Sequence, residues 1–356
     1  MRIAMVSVQA SPLTENTGQG AHVAELCAGL SSAGHELTVY TRREDFTSPD
    51  RVGAEGYDVV HVSAGPARVL AEKELWAHLG DFAEFLTGQW QQRRPDVVHA
   101  HHWTSGLVSM ISAHHRQIPV VHSYHGFGES DVEQRRGAEA LVARRAAWFT
   151  ATSSAEVERL CQLGVRRAKV SVIPSGVNPA FFSPDGPTEF HDGRMRIVVV
   201  GEPGPGTSSA AIGAALSTVD NVELVSTGAV PRARRAMVLR SADIAVCAPD
   251  AEKYGIAVLE AMACGVPVVA TSVGALSDIV VPEVTGLLVQ PRDARRLARS
   301  LTTLLADETR REQFGIAARD RVLGRYSRHR LAKEAAGVYE RVSTGLGSAR
   351  AVTPAP

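Results

Sequence analysis

Apolar and polar positions along this chain follow two rhythms. Short apolar runs at Arg2–Val8, Glu36–Tyr40, Asp58–Val62, Asp96–Ala100, Val120–His122, Trp148–Thr152 and Val170–Ile173 predict strands. Between them lie stretches with apolar residues at helical spacing: Ala21–Ser32, closed by Gly34, then Ala71–Gln91, Ser105–His115 and a basic stretch at Val132–Ala147. The first strand and helix are joined by a small, polar turn, ASPLTENTGQG. Strand, loop, helix, strand in this order is a βαβ unit. Strands this short and this apolar, alternating with helices, predict a parallel sheet covered on both faces.

The segment PSGVNPAFFSPDGPTEFHDGRM is rich in Pro, Gly and Asp and reads as a linker. The βαβ order then restarts. It gives Arg196–Gly201, a small-residue helix near Ser208–Leu216, Val222–Val225, a helix at Arg232–Ser241 and Asp243–Cys247. Gly286–Val289 is a last strand. Helices at Ala294–Ala306, Thr309–Arg325 and Ser327–Val342 follow. The expected fold class is α/β, with two doubly wound, Rossmann-like domains facing a central cleft. The expected boundaries are 1–174 for the first domain, 175–194 for the linker and 195–326 for a shortened second domain. A C-terminal helix at 327–345 and a disordered tail at 346–356 complete the division. Ligands of such sheets sit at the carboxyl ends of the strands.

Composition narrows the function. With 38 basic and 38 acidic residues there is no global field for nucleic acid or an acidic membrane. The four cysteines, Cys27, Cys161, Cys247 and Cys264, are scattered without metal-type spacing and read as core residues of a reducing compartment. No apolar run reaches the roughly 18 residues of a membrane span, and no leader pattern precedes the first strand. The expectation is a cytoplasmic protein with small-molecule partners, no nucleic acid and no stable membrane insertion. A homodimer is compatible with it. Histidines crowd into one region: His99, His101, His102, His114, His115 and His122, with His125 just beyond. No carboxylate or cysteine stands among them, so no metal is expected.

One stretch carries the chemistry: EKYGIAVLEAMACGVPVVAT, Glu252–Thr271. Glu252 and Glu260 bracket seven residues. A helix opens at Gly255 and stops at Gly265 and Pro267, and Val266–Ala270 reads as a buried strand. The free N–H groups at Gly255, Ile256 and Ala257 suit a phosphate, while the two carboxylates suit sugar hydroxyls. Glu, seven residues, Glu, then Ala-Met-Ala-Cys-Gly-x-Pro-Val resembles the sugar-nucleotide site of retaining glycosyltransferases of the glycogen and sucrose-phosphate synthase-like family (glycosyltransferase family 4 type). GHELTVYTRR, PDVVHAHHWTSG, IPVVHSYHGFG and IPSGVNPAFFSPDG also look like blocks of that family. The chain most resembles the branch that contains the inositol-phosphate glycosyltransferases of the mycothiol pathway.

The resemblance implies a GT-B fold, a nucleoside-diphosphate sugar as co-substrate, no cofactor and transfer with retention of configuration. It implies that His125 and Glu252 hold the sugar at the reacting carbon, that Glu260 binds the ribose, and that Gly18 approaches the donor phosphates. The family's second glycine falls on Gly18, and Thr17 stands in place of the partner glycine. The family's diphosphate clamp of Arg and Lys is missing: the Arg position is Glu202, and no Lys follows. Backbone donors at Gly204 and Gly206 are candidate replacements. So are the cations Arg232, Arg234, Arg235, Arg240 and Lys253. Ala229 replaces a basic residue near the nucleobase. On the acceptor side, the family's phosphate-reading lysine falls on Glu72, with Lys73 adjacent and a one-residue slip left open. Its tyrosine falls on His102, its threonine on Gly126 and a loop asparagine on Gly20, while Arg135 and Arg136 are the substitutes for its arginine. A pocket so depleted of cations points to an unphosphorylated small polar acceptor, of the kind met in secondary or small-thiol metabolism, including antibiotic biosynthesis. The competing reading is a catalytically weakened homologue that binds a ligand or partner.

Overall fold

The computed structural model describes residues 1–13, 18–126, 133–201, 212–213, 216, 221–228 and 230–348, with side chains left undescribed at 133–134 and 346–348. The described residues form two compact units. One is Gln19–Ile173, with the first strand before it and the chain from Leu331 after it; the other is Pro174–Arg330.

The first unit holds an eight-stranded sheet. Its strands are β1 (Arg2–Val6), β2 (Glu36–Arg42), β3 (Arg51–Gly53), β4 (Asp58–Val62), β5 (Val97–His101), β6 (Val120–Ser123), β7 (Trp148–Ala151) and β8 (Val170–Val172). Their order is β3-β4-β2-β1-β5-β6-β7-β8. All pairings are parallel except β3 with β4, where Arg51 lies opposite Val60. The residues explain the burial on both faces. Ala4 and Val6 of β1 pack with Leu86, Trp90 and Trp103, while Ile3 and Met5 pack on the other side with Val23, Leu26 and Val39.

Three features depart from the sequence expectation. β3 is an antiparallel edge strand that composition does not announce. The helix expected over Ala71–Gln91 is broken into a single turn, Glu72–Leu75, a 3-10 turn, Trp76–His78, and the helix Leu79–Gln92. The final helix runs Arg328–Ser348, past the expected end at 345, and the rest of the tail lies outside the described residues. From Leu331 this helix joins the first unit. Leu331, Ala332, Ala335, Val338, Tyr339 and Val342 form one stripe buried against Ile3, Met5 and Val97.

The second unit is a five-stranded parallel sheet in the order β10-β9-β11-β12-β13. Its strands are β9 (Met195–Val199), β10 (Val222–Ser226), β11 (Ile244–Cys247), β12 (Val268–Thr271) and β13 (Gly286–Val289). The expected helix near Ser208–Leu216 falls almost wholly outside the described residues. The helix expected over Thr309–Arg325 ends at Arg321 and passes into a π turn, Val322–Tyr326. No described helix is long and apolar enough to cross a membrane.

Each sheet has one place where the strand order reverses. In the first unit it lies between β1 and β5, in the second between β9 and β11. A crevice opens at the carboxyl end of the strands at such a point, and that is where ligands of doubly wound sheets bind.

Candidate functional site

In the second unit the reversal point carries the two glutamates. The helix Ile256–Ala263 starts after Gly255, whose φ is 66°. A Cβ there would also lie 2.2 Å from Ile279 Cδ1, so only glycine fits. Glu252 locks the turn before it: its Oε1 accepts from the backbone N–H groups of Tyr254 (2.9 Å) and Gly255 (3.0 Å). Its carbonyl oxygen accepts from Ala275 N–H. Glu260, 3% exposed, meets the equally buried Arg235. Arg235 Nη2 donates to Oε1 at 2.9 Å, and Nε lies 2.6 Å from Oε2. The Nη2 contact is a hydrogen bond, while the close Nε–Oε2 approach lacks hydrogen-bond geometry and acts as an ion pair that neutralises the buried carboxylate. Phe182 lies under the guanidinium, 6.0 Å from its centre. Gly201, Thr227, Arg235, Glu252, Ala257 and Glu260 share a cavity of about 500 Å3.

Sequence reasoning left Glu260 free to take a ribose. The structure gives it a partner first, contributed by the helix Arg232–Arg240. Of the nearby cations named from sequence, Arg235 is brought to Glu260. Arg232 lies over the Phe181 ring, Arg234 pairs with Glu189, and Arg240 caps the carbonyls of Phe181 and Ser183. The expected roles of Gly204, Gly206 and Ala229, and the loss of charge at Glu202, fall on positions outside the described residues.

In the first unit the reversal point is lined with imidazoles. Gly18, with φ 64°, opens the helix Gly18–Ser32, and Gly20 is buried in its first turn. Gln19 Nε2 donates to Ser7 Oγ (3.0 Å) and to the carbonyl of His101 (3.4 Å), which ties this helix to the ends of β1 and β5. His101 Nδ1 and His125 Nε2 are 2.7 Å apart. Their rings are 4° from parallel with centres 4.9 Å apart, which makes this an in-plane hydrogen bond. His101 Nε2 is buried without a hydrogen-bond partner. His99 bonds Tyr339 OH through Nδ1 (2.7 Å) and Ser123 Oγ through Nε2 (2.9 Å).

Burial, and then the neighbouring imidazoles, hold His99, His101 and His125 well below the usual histidine pKa; burial alone lowers His22 to about 4. All are neutral at pH 7, so this surface offers hydrogen bonds without charge. His22, His101 and His125 each bring a ring nitrogen within 4.8 Å of the others, the one such grouping among the described residues. Two imidazoles on one tetrahedral zinc would hold their nitrogens roughly 3.3 Å apart, given Zn–N bonds of about 2.0–2.1 Å. The 2.7 Å His101–His125 contact is a shared proton instead.

Two residues beside this point hold backbone conformations that side chains disfavour. His102 sits at φ 76°, ψ 155°, a region populated almost only by glycine, and precedes the helix Trp103–His114. His125 is at φ 56°, followed by Gly126 at φ 128°. Glu156 stabilises that turn: its Oε1 accepts from His125 N–H at 3.0 Å, and its Oε2 accepts from Thr152.

The expected acceptor residues divide. Glu72, Arg135 and Gly126 come together: Arg135 Nη1 reaches Glu72 Oε1 at 3.3 Å, and Nη2 donates to the Gly126 carbonyl at 3.2 Å. Lys73 and Arg136 are exposed, and His102 Nδ1 lies 3.3 Å from Thr104 Oγ1. Four participants escaped sequence reasoning: Trp103, whose Nε1 donates to Glu72; Glu139, 2.8 Å from Arg135 Nε; Gln19; and Glu156. The Ser-Ser-Ala-Glu spacing at Ser153–Glu156 is a helix-start signal that would have flagged the last.

Comparisons with known proteins bear on the family and the fold. The family described as Glycosyltransferase Family 4 matches residues 16–181, and Glycosyl transferases group 1 matches residues 192–321. A D-inositol 3-phosphate glycosyltransferase of Kineococcus radiotolerans is 32% identical over 399 aligned positions, covering 91% of this chain and 91% of that protein. A protein of the same description from Acidothermus cellulolyticus is 29% identical, covering 87% and 84%. Sucrose-phosphate synthase from Thermosynechococcus elongatus superposes with a TM-score of 0.84 at 24% identity, covering 97% of this chain and 99% of that one. Anabaena HepE, solved in complex with UDP and glucose, superposes with a TM-score of 0.72 at 15% identity, covering 96% and 99%. The solved structures speak for the fold and the sequence relatives for the family: the chain belongs to glycosyltransferase family 4, and it is a glycosyltransferase of the GT-B fold.

Proposed function

We propose that this glycosyltransferase moves a sugar from a nucleoside-diphosphate sugar to a small polar, unphosphorylated acceptor, with retention of configuration. The observation that carries the donor half is the buried Glu260–Arg235 ion pair beside the Gly255 helix start, at the reversal point of the second sheet. The N–H groups of Ile256 and Ala257 take the diphosphate, as a helix N-terminus can. Glu260, kept charged by its pairing with Arg235, accepts from the ribose hydroxyls. Glu252 holds the transferred sugar on the donor side. Nucleoside-diphosphate sugars are supported by HepE, whose structure contains UDP and glucose.

The reaction is a front-side displacement. The bond from the anomeric carbon to the phosphate oxygen breaks, and the bond from that carbon to the acceptor oxygen forms. The acceptor proton passes to the leaving phosphate oxygen. Amides at the helix start stabilise the charge that grows there. On the acceptor side, the charge of Arg135 is already matched by Glu72 and Glu139, which disfavours a phosphate. A cytoplasmic location fits such a donor.

Isothermal titration with a panel of nucleotide sugars, followed by proton NMR of the first-formed linkage, tests the proposal. Donor binding and a retained anomeric configuration are expected. An inverted product would remove the mechanism. Binding without any transfer would favour the weakened homologue, which the missing Arg and Lys of the diphosphate clamp otherwise supports.

A further inference from the structure

One proton joins His101 to His125, and it has two possible owners. His101 closes β5 opposite Ser123 of β6, and His125 follows two residues after Ser123, at the carboxyl end of the strands. The turn at His125, with φ 56° and its N–H held by Glu156 Oε1, sets its ring edge to edge with His101. His101 has no room to turn away. It is fully buried, and the His99 ring covers one of its faces with centres 4.2 Å apart. His99 is itself fastened at both nitrogens, to Tyr339 OH and to Ser123 Oγ. Burial keeps both partners neutral, so each ring carries a single N–H.

In one arrangement His125 Nε2 carries the proton and donates to His101 Nδ1. The proton of His101 then sits on its Nε2, and His125 Nδ1 is left as a bare acceptor. In the other, His101 Nδ1 donates to His125 Nε2. His101 Nε2 then keeps a lone pair, and His125 Nδ1 carries a proton. His101 Nε2 separates the two, because it is buried with no hydrogen-bond partner among the described residues. Buried N–H groups are rarely left without an acceptor, whereas a buried lone pair more often goes unmet. The second arrangement strands no donor.

We infer that His101 is a positioning residue that holds His125 in its Nδ1–H form, so that His125 donates through Nδ1 to a hydroxyl oxygen of a ligand at this reversal point and does not act as a base. The inference deepens the proposed function and rests on the reversal point of the first unit being a substrate site of that reaction. A ring fixed in one tautomer by a buried neighbour reads oxygen lone pairs and turns away ammonium groups.

Nitrogen-15 NMR of the full-length protein, labelled in its histidines, reads the tautomers directly, with His101 and His125 assigned through their backbone amides. Both should show a proton on Nδ1 and none on Nε2, unchanged from pH 8 to pH 6. A proton on His125 Nε2, protons on both of its nitrogens or a mixture of the two forms would overturn the inference, and this measurement needs no variant. In His101→Phe, which keeps a ring in the stack but no donor, His125 should relax to a mixture. In His101→Asn, which can place an amide N–H where Nδ1 stood, the Nδ1–H form should return. A pure Nδ1–H form in His101→Phe would overturn the positioning role. UDP-glucose or inositol should shift the His125 Nδ1 signal while the proton stays on that nitrogen. Whichever of the two does so should bind about fivefold more weakly to His101→Phe, the worth of one hydrogen bond, and normally to His101→Asn. A His125 signal indifferent to both compounds would count against the reversal point as a substrate site, while the tautomers of the free protein still decide the role of His101.

Discussion

The two units share one architecture and place their functional residues at the same topological point, yet they stock it with opposite chemistry. In the first unit the reversal point is walled by imidazoles that burial keeps neutral. In the second it holds a fully buried charge, Glu260, which exists there because Arg235 was placed against it. The sheet supplies a crevice and a set of aimed chain ends. What the crevice recognises is decided by a few side chains on those ends. A neutral wall gives directional hydrogen bonds that ignore salt. A buried ion pair gives rigid acceptors at the cost of two desolvated groups.

The sharpest way to separate the two is acid. His22 has its pKa lowered to about 4 in the folded protein and returns to about 6.5 on unfolding. A folded pKa that is depressed gives stability that is complete above the unfolded value and lost as the pH falls towards the folded one. His22 alone accounts for roughly 3 kcal/mol across that window, at about 1.36 kcal/mol per unit. His99, His101, His122 and His125 are lowered in the same direction. All four tryptophans, Trp76, Trp90, Trp103 and Trp148, lie in the first unit, so their fluorescence reports that unit. The urea midpoint followed by tryptophan emission should fall steeply between pH 6.5 and 4. A flat midpoint would mean that the imidazoles are not buried neutral.

The counterpart for the second unit is Arg235→Leu, which strands a buried carboxylate. A loss of about 3–5 kcal/mol is expected, as for other broken buried pairs. Glu260→Ala should cost a similar amount, so a variant that looks from sequence like a pure binding mutant damages the fold as well. The double replacement Arg235→Leu, Glu260→Leu should recover most of the stability by thermal unfolding while failing to bind nucleotide. If the double variant bound nucleotide normally, the ion pair would be structural only.

Smaller effects refine the contrast. Gly255→Ala forces a side chain into φ 66° and against Ile279 Cδ1, which predicts roughly 1–3 kcal/mol of destabilisation and a displaced helix start. Tyr339→Phe removes the 2.7 Å bond to His99 and should cost about 1 kcal/mol. An unchanged melting temperature in that last variant would show that His99 finds another partner.

Much of this was legible from sequence where residues act through local rules. Short apolar runs fixed the parallel strands, and the Gly255–Gly265 spacing fixed the helix between the two glutamates. The edge strand Arg51–Gly53 was not legible, because three residues with little apolar content carry no period. The break at Trp76 was hidden by an apolar pattern that continues through it. The site was legible as a list of positions but not as a set of pairs. Glu72 with Arg135 and Glu260 with Arg235 join residues 63 and 25 apart in the chain, and such pairing follows from topology.

The C-terminal helix carries a consequence for the order in which the protein is made. Leu331–Val342 covers Ile3, Met5, Leu26 and Val97, residues synthesised more than two hundred positions earlier. The first unit therefore emerges from the ribosome with part of one face of its sheet uncovered, and that part stays open until the whole second unit has been translated. The second unit is in effect an insertion within the first. A fragment ending near Ile173 would expose an apolar surface and aggregate, and it would be rescued by supplying the 328–348 peptide in trans. Completion of the chain thus doubles as the last step in folding its beginning.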